Sequence, residues 1–147
     1  MPEILLRKMQ APDIPKVMGI ERISFTTPWS ENAFLKEIRK LYSLTKVAVL
    51  GDKVIGYICA NYIMDEGHIL NLAVHPDFRR CGIGTKLVEE VLDELKENDC
   101  RYIYLEVRFS NLRARNFYER FGFRVAGIRR NYYTSPVEDA ALMMHKL

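Results

Sequence analysis

The sequence predicts a mixed α/β fold, a mostly antiparallel sheet of about seven strands with helices on both faces, its elements running βααβββαβαββ. Three observations predict it. The β-rich runs Thr45–Leu50, Lys53–Ala60 and His68–Val74 follow one another across short turn signals, the pattern of an antiparallel meander. The helix that comes next repeats Leu87, Val88, Val91, Leu92 and Leu95 at helical spacing, and it has to cross over to a strand parallel to the last one. Tyr102–Val107 fits that role. A further helix after Asn111 and two more strands close the chain.

Taken in order, Glu3–Lys8 is a first strand, and Ala11-Pro12-Asp13 opens a helix through Ile14, Val17, Met18 and Ile20. Phe25 to Ser30 interrupts the pattern. Pro28 disfavours a helical Thr27, and Ser30 caps a second helix carrying Ala33, Phe34, Ile38 and Leu41. Phe25 and Trp29 flank this turn, either as a hydrophobic staple closing the two helices or as the wall of a substrate groove. Gly51-Asp52 reads as a two-residue hairpin turn, and Asp65-Glu66-Gly67 as the turn into the third strand of the meander. Asn111 caps the helix that carries Ala114, Phe117, Tyr118 and Phe121 on its inner side, and Gly122 stops it. Phe123–Ile128 and Ala140–His145 are the closing strands. The polar, aromatic stretch between them, Arg129 to Pro136, is expected to be a long surface loop.

A length of 147 residues suits one domain, 1–147, with a real core. No apolar run approaches the roughly 20 residues of a membrane span. The start lacks a basic region followed by an apolar one, so neither a signal peptide nor a membrane partner is expected and the location expected is cytoplasmic. Cys59, Cys81 and Cys100 are odd in number and lack C-x-x-C spacing, which suggests reduced thiols rather than disulfides or zinc. His68, His75 and His145 have no metal-ligand pattern and suit surface or edge positions, so no metal is expected. The net charge is only +3, but Arg101 to Arg130 holds eight arginines, no lysine, and only Glu106 and Glu119 as acids. That local excess could serve a phosphorylated ligand, an acidic protein partner or RNA, or could be a solvated face.

The most informative stretch runs from Asn71 to Leu95: an apolar strand, a turn with Pro76, a basic glycine loop and the amphipathic helix. The loop Arg79-Arg80-Cys81-Gly82-Ile83-Gly84 brings two guanidinium groups to a helix N-terminus, where unpaired N–H groups and the positive dipole end favour an anion. Gly82 and Gly84 let main chain approach phosphate oxygens. A dinucleotide fold is disfavoured because no third glycine stands at Leu87, and a P-loop because no G-K-[ST] follows.

This loop resembles the R/Q-x-x-G-x-G/A signature of the GNAT superfamily of N-acetyltransferases, in which it binds the pyrophosphate of acetyl-CoA. The similarity is closest to the RimI-type protein N-terminal acetyltransferases, through F-x-x-P-W-S-E near the start, L-E-V-R and N-x-x-A further on, and R-R-N-Y-Y near the end. It covers essentially the whole chain. The resemblance implies the GNAT fold, with a parallel pair of strands splaying at the centre, and acetyl-CoA as co-substrate. It places Leu72, Ala73 and Val74 along the pantetheine and acetyl groups, and Arg79, Arg80, Cys81, Gly82, Ile83, Gly84 and Thr85 at the pyrophosphate. Asn111 would contact the coenzyme as well as cap its helix.

Glu106 alternates with Ile103, Leu105 and Val107 and so lies on the other face of its strand, where a carboxylate is either a paired structural charge or a base. The resemblance makes it the proton acceptor, directly or through a water. Tyr118 reads by itself as aromatic packing at a helix end, and Phe117 as the ring that points into the core. The resemblance makes Tyr118 the acid that protonates the departing thiolate. Tyr132 and Tyr133 resemble aromatic residues beside the peptide groove, opposite Phe25 and Trp29. The function implied is acetyl transfer to a protein N-terminal α-amine by direct attack in a ternary complex, with no cysteine matching a family nucleophile. The partners expected are protein N-termini, ribosomal proteins among them, with nucleic acid met only through the ribosome. The alternatives are a small-molecule amine acetyltransferase with a closed pocket, and a ribosome- or RNA-associated binding module.

Overall fold

A computed structural model describes residues 3–147. Its strands are β1 (Ile4–Lys8), β2 (Lys46–Leu50), β3 (Lys53–Ile63), β4 (Glu66–Val74), β5 (Tyr102–Arg108), β6 (Arg124–Thr134) and β7 (Val137–Lys146). Its helices are α1 (Ile14–Ser24), α2 (Glu31–Ile38), α3 (Ile83–Glu97) and α4 (Leu112–Glu119), with short 3₁₀ turns at Ala11–Asp13 and Pro76–Phe78. The strands form one sheet in the order β1-β2-β3-β4-β5-β7-β6, and β4 and β5 are its parallel pair.

Both faces of the sheet are covered. On one, Leu87, Val88, Val91 and Leu95 of α3 repeat at helical spacing and pack on Ile58, Ile103 and Leu105. On the other, Val17 and Ile20 of α1 and Phe34 of α2 pack on Val47, Tyr57 and Cys59. Crossing α3 over the first face requires close approach, for a Cβ on Gly67 would lie 2.8 Å from Leu95 Cδ2. The start of α2 is fixed by two local devices. The Ser30 hydroxyl accepts from the Ala33 N–H at 3.1 Å, and Trp29, just before the cap, packs on Phe34 with ring centroids 5.1 Å apart. That is a hydrophobic staple.

The feature that positions the site is how briefly β4 and β5 pair. Only Glu66↔Tyr102, Gly67↔Ile103 and His68↔Tyr104 are in register. The β3–β4 register then shifts, Ala60 facing Ile69 but Cys59 facing Asn71, which leaves Leu70 as an extra residue in β4. Such a bulge bends its strand. β4 therefore leaves β5 beyond His68, and a gap opens between their C-terminal halves.

Three expectations are corrected. Leu41 lies beyond the end of α2 and is 85% exposed. The β3–β4 turn falls at Met64-Asp65, so Glu66 and Gly67 belong to the strand. Arg129 to Pro136 is no long loop: β6 runs through Thr134 and turns at once into β7. β6 is an edge strand, exposed along most of its length, so the alternation that marks a half-buried strand is missing from its sequence. Within it, the register to β7 shifts between Arg129 and Tyr133, around Asn131, whose φ is +52°.

Candidate functional site

The glycine loop is shaped by backbone more than by side chains. Arg80 and Gly82 both take positive φ, +65° and +77°, and Gly82 stands at the N-cap of α3. No side chain caps that end, so its first N–H groups face the loop. A non-glycine residue in this conformation costs on the order of 1 kcal/mol, and successive N–H groups in such curls form an anion nest. Arg79 is held by the end of the strand that leads into the loop, Nε donating to the Val74 carbonyl at 3.1 Å. The result is a cleft of about 660 Å³ bordered by Leu72, Ala73 and Val74 on one side and Asn111 and Phe117 of α4 on the other. Arg79, Arg80, Gly82, Ile83, Gly84 and Thr85 all line it. Cys81 does not; it is exposed, its thiol directed to the Arg79 carbonyl at 3.7 Å.

A second cleft, of about 360 Å³, lies in the gap between β4 and β5 and shares Phe25, Leu72, Asn111 and Ala114 with the first. The two therefore adjoin along these residues. Phe25 and Trp29 form one wall, Tyr132 and Tyr133 the other, and Glu106 and Tyr118 also border it. Trp29 thus serves both as staple and as wall. Neighbours on a regular strand point to opposite faces. Tyr132 and Tyr133 share this cleft next to the irregularity at Asn131, whose N–H donates to Asp139 Oδ1 at 2.8 Å.

Glu106 is not alone. Its Oε2 accepts from His68 Nε2 at 2.9 Å, while Arg129 Nε lies 3.8 Å from Oε1, beyond hydrogen-bond reach. An ionised carboxylate has only acceptor capacity, so His68 supplies the proton of that bond. The hydrogen bond from His68, against the opposing effect of burial, holds the Glu106 carboxyl below its usual range. Sequence reading gave His68 a surface or edge position; it lies on an interior strand. Its register partner is Tyr104, so Glu106 is its diagonal neighbour on the same sheet face.

Tyr118 is buried, only 7% exposed, between the rings of Phe117 and Phe123, and burial raises its phenol well above the ordinary value. It remains a protonated donor at any physiological pH. Phe117 is the less buried of the two and lines the loop cleft, which reverses the orientation the sequence suggested. Burial likewise pushes the Tyr133 phenol up to about 12. Asn111 caps α4, its Oδ1 accepting from the Ala114 N–H at 3.1 Å, and borders both clefts.

Sequence reading also missed Glu21, which is 1% exposed at the edge of the strand-gap cleft. Its carboxylate accepts from the Trp29 N–H at 2.9 Å, from Asn71 Nδ2 at 2.6 Å and from the Tyr57 hydroxyl. Asn71 Oδ1 in turn accepts from the Leu72 N–H at 3.1 Å. One buried carboxylate thus ties the Phe25–Trp29 wall to the bulged part of β4. No nearby sequence signal could reveal it, because Asn71 is 50 residues away.

Arg108 and Thr26 close the far edge. The Arg108 guanidinium donates to the Ser135 and Pro136 carbonyls at 3.1 and 2.9 Å and lies over the Tyr133 ring, 4.4 Å from its centroid. Thr26 Oγ1 donates to the Ser135 carbonyl at 3.0 Å. The β6–β7 turn is thereby tied to the α1–α2 loop. Among the described residues no helix is long and apolar enough to cross a membrane.

Comparison with known proteins gives this geometry a family. The Acetyltransferase (GNAT) family profile matches residues 14–123. The [ribosomal protein bS18]-alanine N-acetyltransferase of Escherichia coli is 36% identical over 140 residues, covering 94% of each chain. Among solved structures, Ard1 from Thermoplasma volcanium aligns with a TM-score of 0.92 at 29% identity, over 98% of this chain and 97% of its own. Arabidopsis thaliana Naa50, in complex with the bisubstrate analogue CoA-Ac-MVNAL, aligns with a TM-score of 0.86 at 25% identity, over 98% and 99%.

Proposed function

This chain belongs to the acetyltransferase (GNAT) family, and we propose that it moves the acetyl group of acetyl-CoA onto the N-terminal α-amine of a protein or peptide by direct attack in a ternary complex. The observation that carries the reading is the junction of the two clefts at the β4–β5 gap, with Glu106 and Tyr118 both bordering the strand-gap side. Acetyl-CoA is the co-substrate and supplies an activated acyl group. The loop residues Arg79, Arg80 and Gly82 to Thr85 hold its diphosphate, and Leu72 to Val74 lie along its pantetheine arm. Main-chain N–H groups of that segment polarise the thioester carbonyl. The Leu72 N–H already has the Asn71 side chain as acceptor, so Asn71 must yield it or a neighbouring N–H must serve.

Glu106 accepts the proton. Its depressed pKa sets how: taking a proton from a free α-ammonium, whose own pKa is near 8, is uphill for a carboxylate held below its usual range. The roughly one-tenth of amine that is neutral at pH 7 therefore attacks, and Glu106 takes the proton as the C–N bond forms. His68, donating to the carboxylate, orients it. Tyr118 donates toward the sulfur that leaves. With its phenol raised by burial, the hydrogen bond itself does most of the stabilising.

The acceptor lies between the Phe25–Trp29 and Tyr132–Tyr133 walls. N-termini of ribosomal proteins are the substrates proposed first, since the Escherichia coli relative is named for the alanine of ribosomal protein bS18. A library of short peptides varied at the first two positions, incubated with acetyl-CoA and read by fragmentation mass spectrometry, tests the reading. Acetyl groups on α-amines are expected. Acetylation confined to lysine side chains or to small amines would overturn it.

A further inference from the structure

One cluster of charge takes no part in the acetyl transfer described above. Arg113, Phe117 and Arg120 recur at i, i+4 and i+7 along α4 and its C-cap, which sets two arginines on one helix face, their Cα atoms about 10 Å apart along the axis, with Phe117 between them in sequence and long side chains able to reach one anion. Arg120 lies over that ring, 5.5 Å from its centroid. The same three residues border the glycine-loop cleft and also an outer cleft of about 650 Å³ on α4, completed by Asn116, Glu119 and Arg124. The two clefts meet across Phe117. Contact with the loop is close, for a Cβ on Gly84 would lie 3.5 Å from the Phe117 ring.

Among the described residues neither Arg113 nor Arg120 pairs with a carboxylate, whereas Arg7, Arg108 and Arg129 each do. Arg124 is engaged with main chain, donating to the Glu119 and Phe123 carbonyls at 3.1 and 2.8 Å. Glu119 is the acid on the rim and would repel an anion placed beside it. Two guanidinium groups without a counter-ion, next to a loop that takes a diphosphate, suit a phosphomonoester. A donor whose thioester enters the β4–β5 gap and whose diphosphate rests on the loop carries its nucleoside beyond that loop. We infer that Arg113 and Arg120 bind the ribose 3′-phosphate of the acyl donor and select the phosphorylated coenzyme over its dephospho form. This rests on the coenzyme reading above and deepens it.

Titration calorimetry of the whole chain with CoA and with 3′-dephospho-CoA tests the inference without an acetyl acceptor. The wild type is expected to bind CoA about ten-fold more tightly, the size of one charge-assisted hydrogen bond at a partly exposed site. In the Arg113→Ala, Arg120→Ala double variant the preference falls to near one, through loss of CoA affinity alone. Dephospho-CoA affinity held at its wild-type level shows that the variant is folded, and each single variant gives an intermediate ratio. Equal affinities in the wild type, or a preference retained in the double variant, overturns the inference and leaves the coenzyme reading standing. Binding of neither compound removes both. Salt-sensitive binding of a single-stranded RNA oligonucleotide through these arginines, with no preference between the coenzymes, assigns the patch to nucleic acid and also overturns it.

Discussion

On the coenzyme side of the β4–β5 gap, the loop is held by contacts of short reach. Arg79 bonds to Val74 five residues before it, and Arg80 and Gly82 set the curl through their own φ angles. On the acceptor side the reach is long: Thr26 bonds to Ser135, 109 residues on, and Glu21 to Asn71, 50 residues on. One wall is a local backbone conformation, and the other exists only once the chain has folded around it. The first should tolerate side-chain changes around it, and the second should respond to single substitutions far from the reacting atoms.

The largest effect expected is on the acceptor side, at the residue that takes the proton. Glu106→Gln should lower kcat/KM for a peptide by about 10²- to 10⁴-fold while CoA affinity stays near wild type, measured by steady-state kinetics and calorimetry. Tyr118→Phe should lower kcat by about 10- to 100-fold, since one donor to the leaving sulfur is lost and the ring packing is kept.

Glu21→Gln sharpens the comparison. The amide must turn one N–H toward a donor, leaving a buried group unsatisfied at a cost of about 1–3 kcal/mol. The peptide KM should rise about ten-fold with the CoA dissociation constant unchanged. Equal loss of both would show that the two walls are not separately built.

Much of the fold was legible because its cues are local. Ser30 and Asn111 announce their helices, Gly122 ends one, and the glycine loop stands next to the apolar spacing of α3. What was not legible depends on partners far along the chain. His68 offers no pattern of its own, and only the three-residue register between β4 and β5 brings it to Glu106. Phe117 and Tyr118 are neighbours about 100° apart on a short helix, and which of them enters the core is decided by Phe123 and the strands beneath. The end of β6 looked like a loop because an edge strand exposed along most of its length leaves no apolar period to read.

A smaller effect concerns pH and stability. The Arg7 guanidinium, bonded to both carboxylate oxygens at 2.8 Å, holds Asp13 below its usual range. A depressed folded pKa contributes stability above the unfolded value, near 3.9, and that contribution is lost as pH falls through the folded pKa. Urea midpoints taken downward from pH 5 should therefore decline, and Asp13→Asn should flatten part of that decline.

The most direct test of the central claim is a crystal structure with a bisubstrate analogue joining CoA to a peptide. The account predicts the diphosphate on Arg79 to Thr85, the sulfur beside the Tyr118 hydroxyl, and the former α-nitrogen reaching Glu106 directly or through one water. A diphosphate bound elsewhere, or a peptide entering by a route that leaves Glu106 and its His68 partner out of contact, would contradict it.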